Sequence, residues 1–170
     1  VGDNEASQIY VRNKRKAAEE IGMECEVHHL SAESSFEQVA DLVQKLNANP
    51  KVNGIIVQMP LPQHLNSDKI LRLIDERKDV DGFGLHNAGL LMQNQPSTMI
   101  AATPKGVLAM LRSTGIQLTG KHAVIIGRSN IVGRPLAALL LNQDCTVTVV
   151  HTLTQNIAEI TKQADILVAA

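Results

Sequence analysis

Tryptophan is absent from the 170 residues, and one tyrosine and two phenylalanines make up the aromatic content. Modules that bind single-stranded nucleic acid stack bases on exposed rings, so this composition excludes that class. Charge of one sign is equally scarce. The formal net charge is -1, too small to recruit a phosphate backbone or an anionic membrane surface. The two cysteines, Cys25 and Cys145, form no CxxC pair. Each lies in an alternating apolar run, which predicts two buried, reduced thiols in a cytoplasmic protein. No apolar run approaches the roughly 20 residues that span a bilayer. The histidines are scattered, and adjacent residues such as His28 and His29 point to opposite faces of a strand, so no metal site is expected. No signal peptide is visible, although the chain begins at Val1 and not at methionine.

What is present is a hydrophobic fraction of 44% arranged in alternating strand-like and helix-like segments. Residues 7–22 read as a helix with Ile9, Val11, Ala17, Ala18 and Ile21 as its apolar positions and Gly22 as a stop. Residues 24–30 alternate like a strand. Residues 35–49 form a second helical pattern, with Phe36, Val39, Leu42, Val43 and Leu46 on one face. Residues 54–58 are a β-branched run that reads as a buried strand, ended by Pro60 and Pro62. A short helix follows over 67–75, capped by Asn66 or Ser67. Residues 92–98 (MQNQPST) lack periodicity and read as a loop near the join of two lobes. Residues 104–114 look helical, with Thr103 as N-cap and Pro104 in the first position. A second series then predicts strands at 123–127, 145–151 and 166–170 with helices at 133–142 and 156–163. This alternation implies an α/β fold, parallel sheet covered by helices. Two lobes are expected, 1–98 and 99–170. Three strands in the second lobe, against the five or six of a complete dinucleotide-binding domain, and an abrupt start at Val1-Gly2-Asp3 give the expectation of a chain trimmed at both ends.

The clearest local motif is Gly127-Arg128-Ser129-Asn130-Ile131-Val132-Gly133-Arg134-Pro135, directly after a strand. Gly127 permits a sharp turn and Gly133 a close helix–strand approach, and the helix start that follows is expected to offer free N–H groups to a phosphate. It is a Rossmann-like turn without the full GxGxxG pattern, because Ser129 takes the second glycine position. The next strand ends in His151-Thr152-Leu153-Thr154, with no carboxylate for ribose hydroxyls. Arg128 can meet a 2′-phosphate bidentately, so NADP is expected over NAD. In the first lobe Tyr10 and Lys14 lie four apart on one helix face. A lysine beside a phenol in a cleft can serve as general acid/base, while the same spacing also suits a solvated face. Gln58 ends an apolar strand, where ligands of open α/β sheets bind, and Asp79 and Asp81 share an acidic turn.

In order and spacing these pieces resemble the bifunctional methylenetetrahydrofolate dehydrogenase/methenyltetrahydrofolate cyclohydrolase family. The resemblance runs through Val1-Gly2-Asp3-Asn4-Glu5-Ala6-Ser7 with Tyr10 and Lys14, then Gly54 to Pro62 (GIIVQMPLP). It continues through Lys78 to Phe83 (KDVDGF), Asn87-Ala88-Gly89, Thr103-Pro104-Lys105-Gly106 and the turn from Gly127 to Pro135, so it covers nearly the whole chain. It implies an N-terminal catalytic, folate-binding domain and a C-terminal Rossmann-like NADP-binding domain. It implies two reactions at one cleft: oxidation of 5,10-methylenetetrahydrofolate by NADP, then hydrolysis of the methenyl cation to 10-formyltetrahydrofolate. It further implies one-carbon metabolism of the kind that serves purine biosynthesis, in a cytoplasmic homodimer. By the same resemblance Lys14 is the catalytic acid/base and Gln58 positions it. Tyr10 stacks on the aminobenzoyl group, Asp81 accepts hydrogen bonds from the pterin, and Ser7 lies beside the cleft. Gly127, Arg128, Ser129, Ile131, Gly133, His151 and Thr152 hold the dinucleotide. A cationic intermediate repels an ammonium, which makes the neutral lysine accessible.

The chain departs from the family pattern in four places. Gly84-Leu85 replaces the common His-Pro, Ala101-Ala102 precedes Thr103 where Pro-Cys is common, and Thr152-Leu153-Thr154 lacks the usual arginine. The family's later glycine- and proline-rich segment does not occur. Short-chain dehydrogenases also use Tyr-x-x-x-Lys, but there the pair follows the cofactor turn. Shikimate-type dehydrogenases share the two-lobe layout but fit Gln58 and Asp81 less well. The reading from another class is a non-catalytic folate or dinucleotide sensor, which would have no need to keep Lys14.

Overall fold

The computed structural model describes residues 1–96 and 98–170; Ser97, within the loop expected over 92–98, lies outside the described residues. The chain divides into two compact units, Val1–Lys78 and Asp79–Ala170.

The first unit holds α1 (Glu5–Glu20), α2 (Phe36–Ala48) and α3 (Ser67–Leu71). Helix α2 begins where its sequence says it should. The Ser35 hydroxyl accepts the Gln38 N–H and the Gln38 side chain accepts the Ser35 N–H, a reciprocal capping box. Its far end is closed by a distant residue: the Lys78 ammonium donates to the carbonyls of Leu46, Asn47 and Asn49 at 2.9, 2.7 and 2.8 Å. That arrangement satisfies carbonyls that a helix C-terminus leaves without partners and complements the negative end of its dipole. Val39 enters a core with Leu65 and Ile70, Phe36 packs against it, and Val43 is buried on the same helix. Helix α3 takes Asn66 as its cap, the side-chain oxygen accepting the Lys69 N–H at 2.9 Å.

Four expectations for this unit are corrected. Helix α1 buries none of its residues, and Ile9, Ala17 and Ile21 are exposed. Periodicity records which positions share a face, not whether a neighbour covers it. Residues 24–30 form no strand, and 54–58 contribute only an isolated bridge at Ile55. Alternation orients side chains, but a strand also needs a neighbouring chain exchanging hydrogen bonds at every second residue. Cys25 is exposed for the same reason, while Cys145 is buried as expected.

The second unit holds α4 (Leu85–Met92), α5 (Ala102–Ser113), β1 (His122–Ile126), α6 (Gly133–Leu141), β2 (Thr146–Val150), α7 (Ile157–Thr161) and β3 (Ile166–Ala169). The strands form one parallel sheet in the order β2-β1-β3, with Ala123 opposite Val147 on one side and Ile166 on the other. Central β1 buries Ala123, Val124 and Ile125 completely, as expected for a parallel strand covered on both faces. Leu136, Leu139 and Leu140 of α6 fill the same core, and α6 also packs on α4 and α5. Helix α4 was not apparent in the sequence. Helix α5 starts earlier than expected, with Ala101 as a cap that makes no side-chain bond, so Thr103 is not the N-cap. Pro104 sits in the third helical position and is buried. The first intrahelical bond runs from the Lys105 N–H to the Ala101 carbonyl, so a proline anywhere before it sacrifices no hydrogen bond.

Candidate functional site

Ser7, Tyr10 and Lys14 follow one another at i, i+3 and i+7 along α1 and therefore share one stripe of the helix. The Lys14 ammonium donates to Gln58 Oε1 at 3.3 Å. The same amide donates through Nε2 to the Met59 carbonyl at 2.8 Å, and the Ser7 hydroxyl donates to that carbonyl at 3.3 Å. Gln58 is thereby oriented: its amide hydrogens point at a carbonyl, so its oxygen is left for the lysine. An amide oxygen accepts from the amine without supplying a counter-charge. It holds Lys14 in place. Tyr10 is 62% exposed, so its ring face is accessible for stacking.

In the second unit, the acidic turn separates its two carboxylates by environment. Asp79 is 5% exposed. Its Oδ1 accepts the N–H groups of Gly82 and Phe83 at 3.0 and 3.2 Å, and its Oδ2 accepts the Gly84 N–H and the Asn87 side chain, both at 2.8 Å. Asp81 is half-buried in the turn that Asp79 closes. Neither Asp79 nor Asn87 was assigned a role from the sequence. The signal that could have found Asp79 is an aspartate with glycine three residues later, the pattern of a side chain accepting from the turn's own backbone.

The glycine turn sits at the carboxyl end of β1, the strand flanked on both sides. This is the switch point at which open α/β sheets bind ligands. Gly127 (φ +122°) donates its N–H to the Val150 carbonyl, which places His151 at the neighbouring strand end. A Cβ at Gly133 would run into the Gly127 carbonyl, and one at Gly127 into the Ala170 carbonyl, so only glycine allows the strand end and helix start to approach this closely. One expectation changes here. The Ser129 hydroxyl accepts the N–H groups of Val132 and Gly133 at 3.1 and 3.3 Å, and the Ser129 carbonyl accepts that of Arg134 at 3.0 Å. Pro135 has none to offer. The start of α6 is therefore already capped by the loop, and the residue in the second glycine position serves the helix. Arg128 remains exposed on the turn and Ile131 is half-buried in it. His151 Nδ1 accepts the Leu153 N–H at 3.2 Å, and Thr152 is exposed beside it.

Residues 1–81 match the tetrahydrofolate dehydrogenase/cyclohydrolase catalytic domain, and residues 101–170 match the NAD(P)-binding domain of the same group. The chain belongs to the tetrahydrofolate dehydrogenase/cyclohydrolase family. It is 51% identical over all of its 170 residues to the bifunctional protein FolD of Streptococcus agalactiae, and 49% identical to FolD 2 of Paracoccus denitrificans. It spans 60% and 56% of those proteins, respectively. The crystal structure of the bifunctional FolD of Campylobacter jejuni matches 99% of this chain with 60% of its own, at a TM-score of 0.94 and 46% identity. The Trypanosoma brucei FolD, solved with NADP and an inhibitor, matches 99% of this chain with 58% of its own, at a TM-score of 0.93 and 38% identity.

The expected residues fall into three groups, each local to one unit. Ser7, Lys14 and Gln58 are joined by hydrogen bonds, with Tyr10 on the same helical stripe. Asp81 rides on the Asp79 turn. Gly127, Arg128, Ser129, Ile131 and Gly133 form one loop, with His151 and Thr152 at the adjacent strand end. The turn fits a dinucleotide in two respects: its glycines let the end of β1 and the start of α6 approach closely at the carboxyl end of the sheet, and Arg128 supplies an exposed guanidinium. At Gly84, a Cβ would lie 2.8 Å from Asp79 Oδ2. Among the described residues no group of three or more His, Cys, Asp or Glu is placed to hold a metal ion, and no helix is long and apolar enough to cross a membrane.

Proposed function

We propose that the protein oxidises 5,10-methylenetetrahydrofolate with NADP and hydrolyses the resulting methenyl cation to 10-formyltetrahydrofolate. In the first step a hydride leaves the methylene carbon for the nicotinamide, giving NADPH. In the second, water adds to the methenyl carbon, a proton is released and the ring opens. The observation that carries the reading is the bond from Lys14 to a Gln58 amide whose orientation is set by Met59. Lys14 takes the proton of the attacking water, helped by the cation of the substrate, which repels an ammonium. Gln58 holds Lys14, Tyr10 stacks on the aminobenzoyl group, Ser7 borders the substrate and Asp81 accepts from the pterin. Arg128 meets the 2′-phosphate, with Gly127, Ser129, Ile131, Gly133, His151 and Thr152 around the rest of the dinucleotide. Residues 1–98 serve the folate and residues 99–170 the NADP, in a cytoplasmic homodimer whose formyl product supplies purine synthesis.

The test is reduction of NADP in the presence of 5,10-methylenetetrahydrofolate, with NAD as control. The expected result is folate-dependent NADPH formation with little NADH. If neither cofactor is reduced and no methenyl compound is hydrolysed, the reading fails and a folate or dinucleotide sensor takes its place.

A further inference from the structure

Asp79 and Asp81 stand two residues apart in one turn, and the Asp79 carboxylate is fully engaged within it. A carboxylate offers about four acceptor positions, and Asp79 uses four of them: the N–H groups of Gly82, Phe83 and Gly84 and the Asn87 amide. It is buried, and its donors come from the three residues after Asp81 and from α4. Asn87 is just as buried and passes the constraint on, its Oδ1 accepting the Met99 N–H at 3.1 Å. Gly82 (φ +71°) seals the same contact, since a Cβ there would lie 2.5 Å from the Met99 carbonyl oxygen. The turn is thus held from inside by Asp79 and from behind by the Met99 backbone.

We propose that Asp79 is the positioning residue for Asp81, fixing the turn that presents the Asp81 carboxylate to the pterin, with Asn87 as the strut that anchors Asp79 to Met99. This deepens the proposed function and rests on its assignment of Asp81 to the folate. Asp79 itself touches no ligand, because its oxygens are spent. Its replacement acts on the geometry of Asp81 and spares the dinucleotide turn. Gly84 is part of the device: a Cβ there would press on Asp79 Oδ2 at 2.8 Å, and a saturated, buried carboxylate has nowhere to retreat.

The experiment measures KM for methylenetetrahydrofolate and for NADP separately in the full chain. Asp79→Asn turns one acceptor oxygen into a donor that faces the Gly84 N–H and the Asn87 amide. It is expected to raise the folate KM by about tenfold, the scale of one well-made bond to a charged group, and to leave the NADP KM unchanged. The double variant Asp79→Asn/Asn87→Asp restores a donor–acceptor pair between the two side chains and should recover part of the loss. Gly84→Ala removes no polar group and should also raise the folate KM alone, which keeps the test decisive if Asp79→Asn does not fold. An unchanged folate KM in folded Asp79→Asn or in Gly84→Ala overturns the proposal, as does an equal rise in both constants. Asp81→Asn separates the two levels. If it leaves the folate KM unchanged, the assignment of Asp81 fails and this inference with it. If it raises the folate KM while Asp79→Asn does not, only the positioning role is lost.

Discussion

Lys14 and Gln58, 44 residues apart in sequence, meet at 3.3 Å between the ammonium and the amide oxygen, and the amide is turned toward the lysine by its own bond to Met59. Removing the amine should therefore remove hydrolysis and little else. Lys14→Met is expected to abolish methenyltetrahydrofolate hydrolysis while NADPH binding, measured by calorimetry, is unchanged. Gln58→Glu keeps the shape but adds a counter-charge that favours the ammonium. Hydrolysis in that variant should be lower at neutral pH and should recover as pH rises. Near-normal hydrolysis by Lys14→Met, or a pH profile unmoved in Gln58→Glu, would remove Lys14 from the chemistry.

Cofactor choice should depend on Arg128. Its guanidinium is exposed on the turn after β1, and a bidentate bond to a phosphate contributes about 1.5–3 kcal/mol, or roughly tenfold to a hundredfold in affinity. Arg128→Ser is expected to weaken NADPH binding by that factor and to leave NADH binding where it was. Equal loss for both cofactors would place Arg128 on the shared pyrophosphate and not on the 2′-phosphate.

The two thiols should differ sharply in reactivity. Cys25 is exposed, whereas Cys145 is buried with its Sγ donating to the Leu118 carbonyl at 3.3 Å. Burial, helped by the nearby Asp144 charge, pushes the Cys145 thiol up from its ordinary range. Because the thiolate is the reactive form, iodoacetamide should modify one site per native chain at pH 8, with peptide mapping assigning it to Cys25. Urea should then expose the second. Modification of Cys145 in the native chain at the rate of Cys25 would contradict this.

Acid should weaken the first unit through Asp75. The Arg77 side chain donates Nε and Nη2 to its carboxylate at 2.9 and 2.6 Å, and the Arg77 N–H adds a third bond at 3.0 Å. These bonds, the side-chain ones foremost, hold the Asp75 carboxyl well below its ordinary value of 3.8. A depressed folded-state value means that the unfolded chain binds the proton more readily. The contribution is therefore fully present above the ordinary carboxylate range and is lost as pH falls through it toward the folded value. The urea midpoint of the native chain should exceed that of Asp75→Asn at pH 6, and the gap should begin to narrow as pH falls below about 4. A gap that persists unchanged into that acid range would assign the difference to packing.

Some of this protein was written in short stretches of its sequence. The capping box of Ser35 and Gln38, the apolar stripe of α2, the β1–turn–α6 unit from Ala123 through Gly133 and the Tyr10–Lys14 spacing are all local. Each is decided by residues within one or two turns of one another, so periodicity and capping chemistry suffice to read it. The tertiary structure decided whatever depended on a distant partner. Alternation at 24–30 could not reveal that no ladder forms there, nor that Cys25 lies exposed. The glycine-like place of Ser129 could not reveal that its hydroxyl caps α6. Two aspartates in KDVDGF look alike in sequence, yet Asp79 is spent on Gly82, Phe83, Gly84 and Asn87 while Asp81 rides on the turn they make. The physical reason is the same in each case: a side chain's type fixes the bonds it can form, and only the folded neighbours fix which of them it has left.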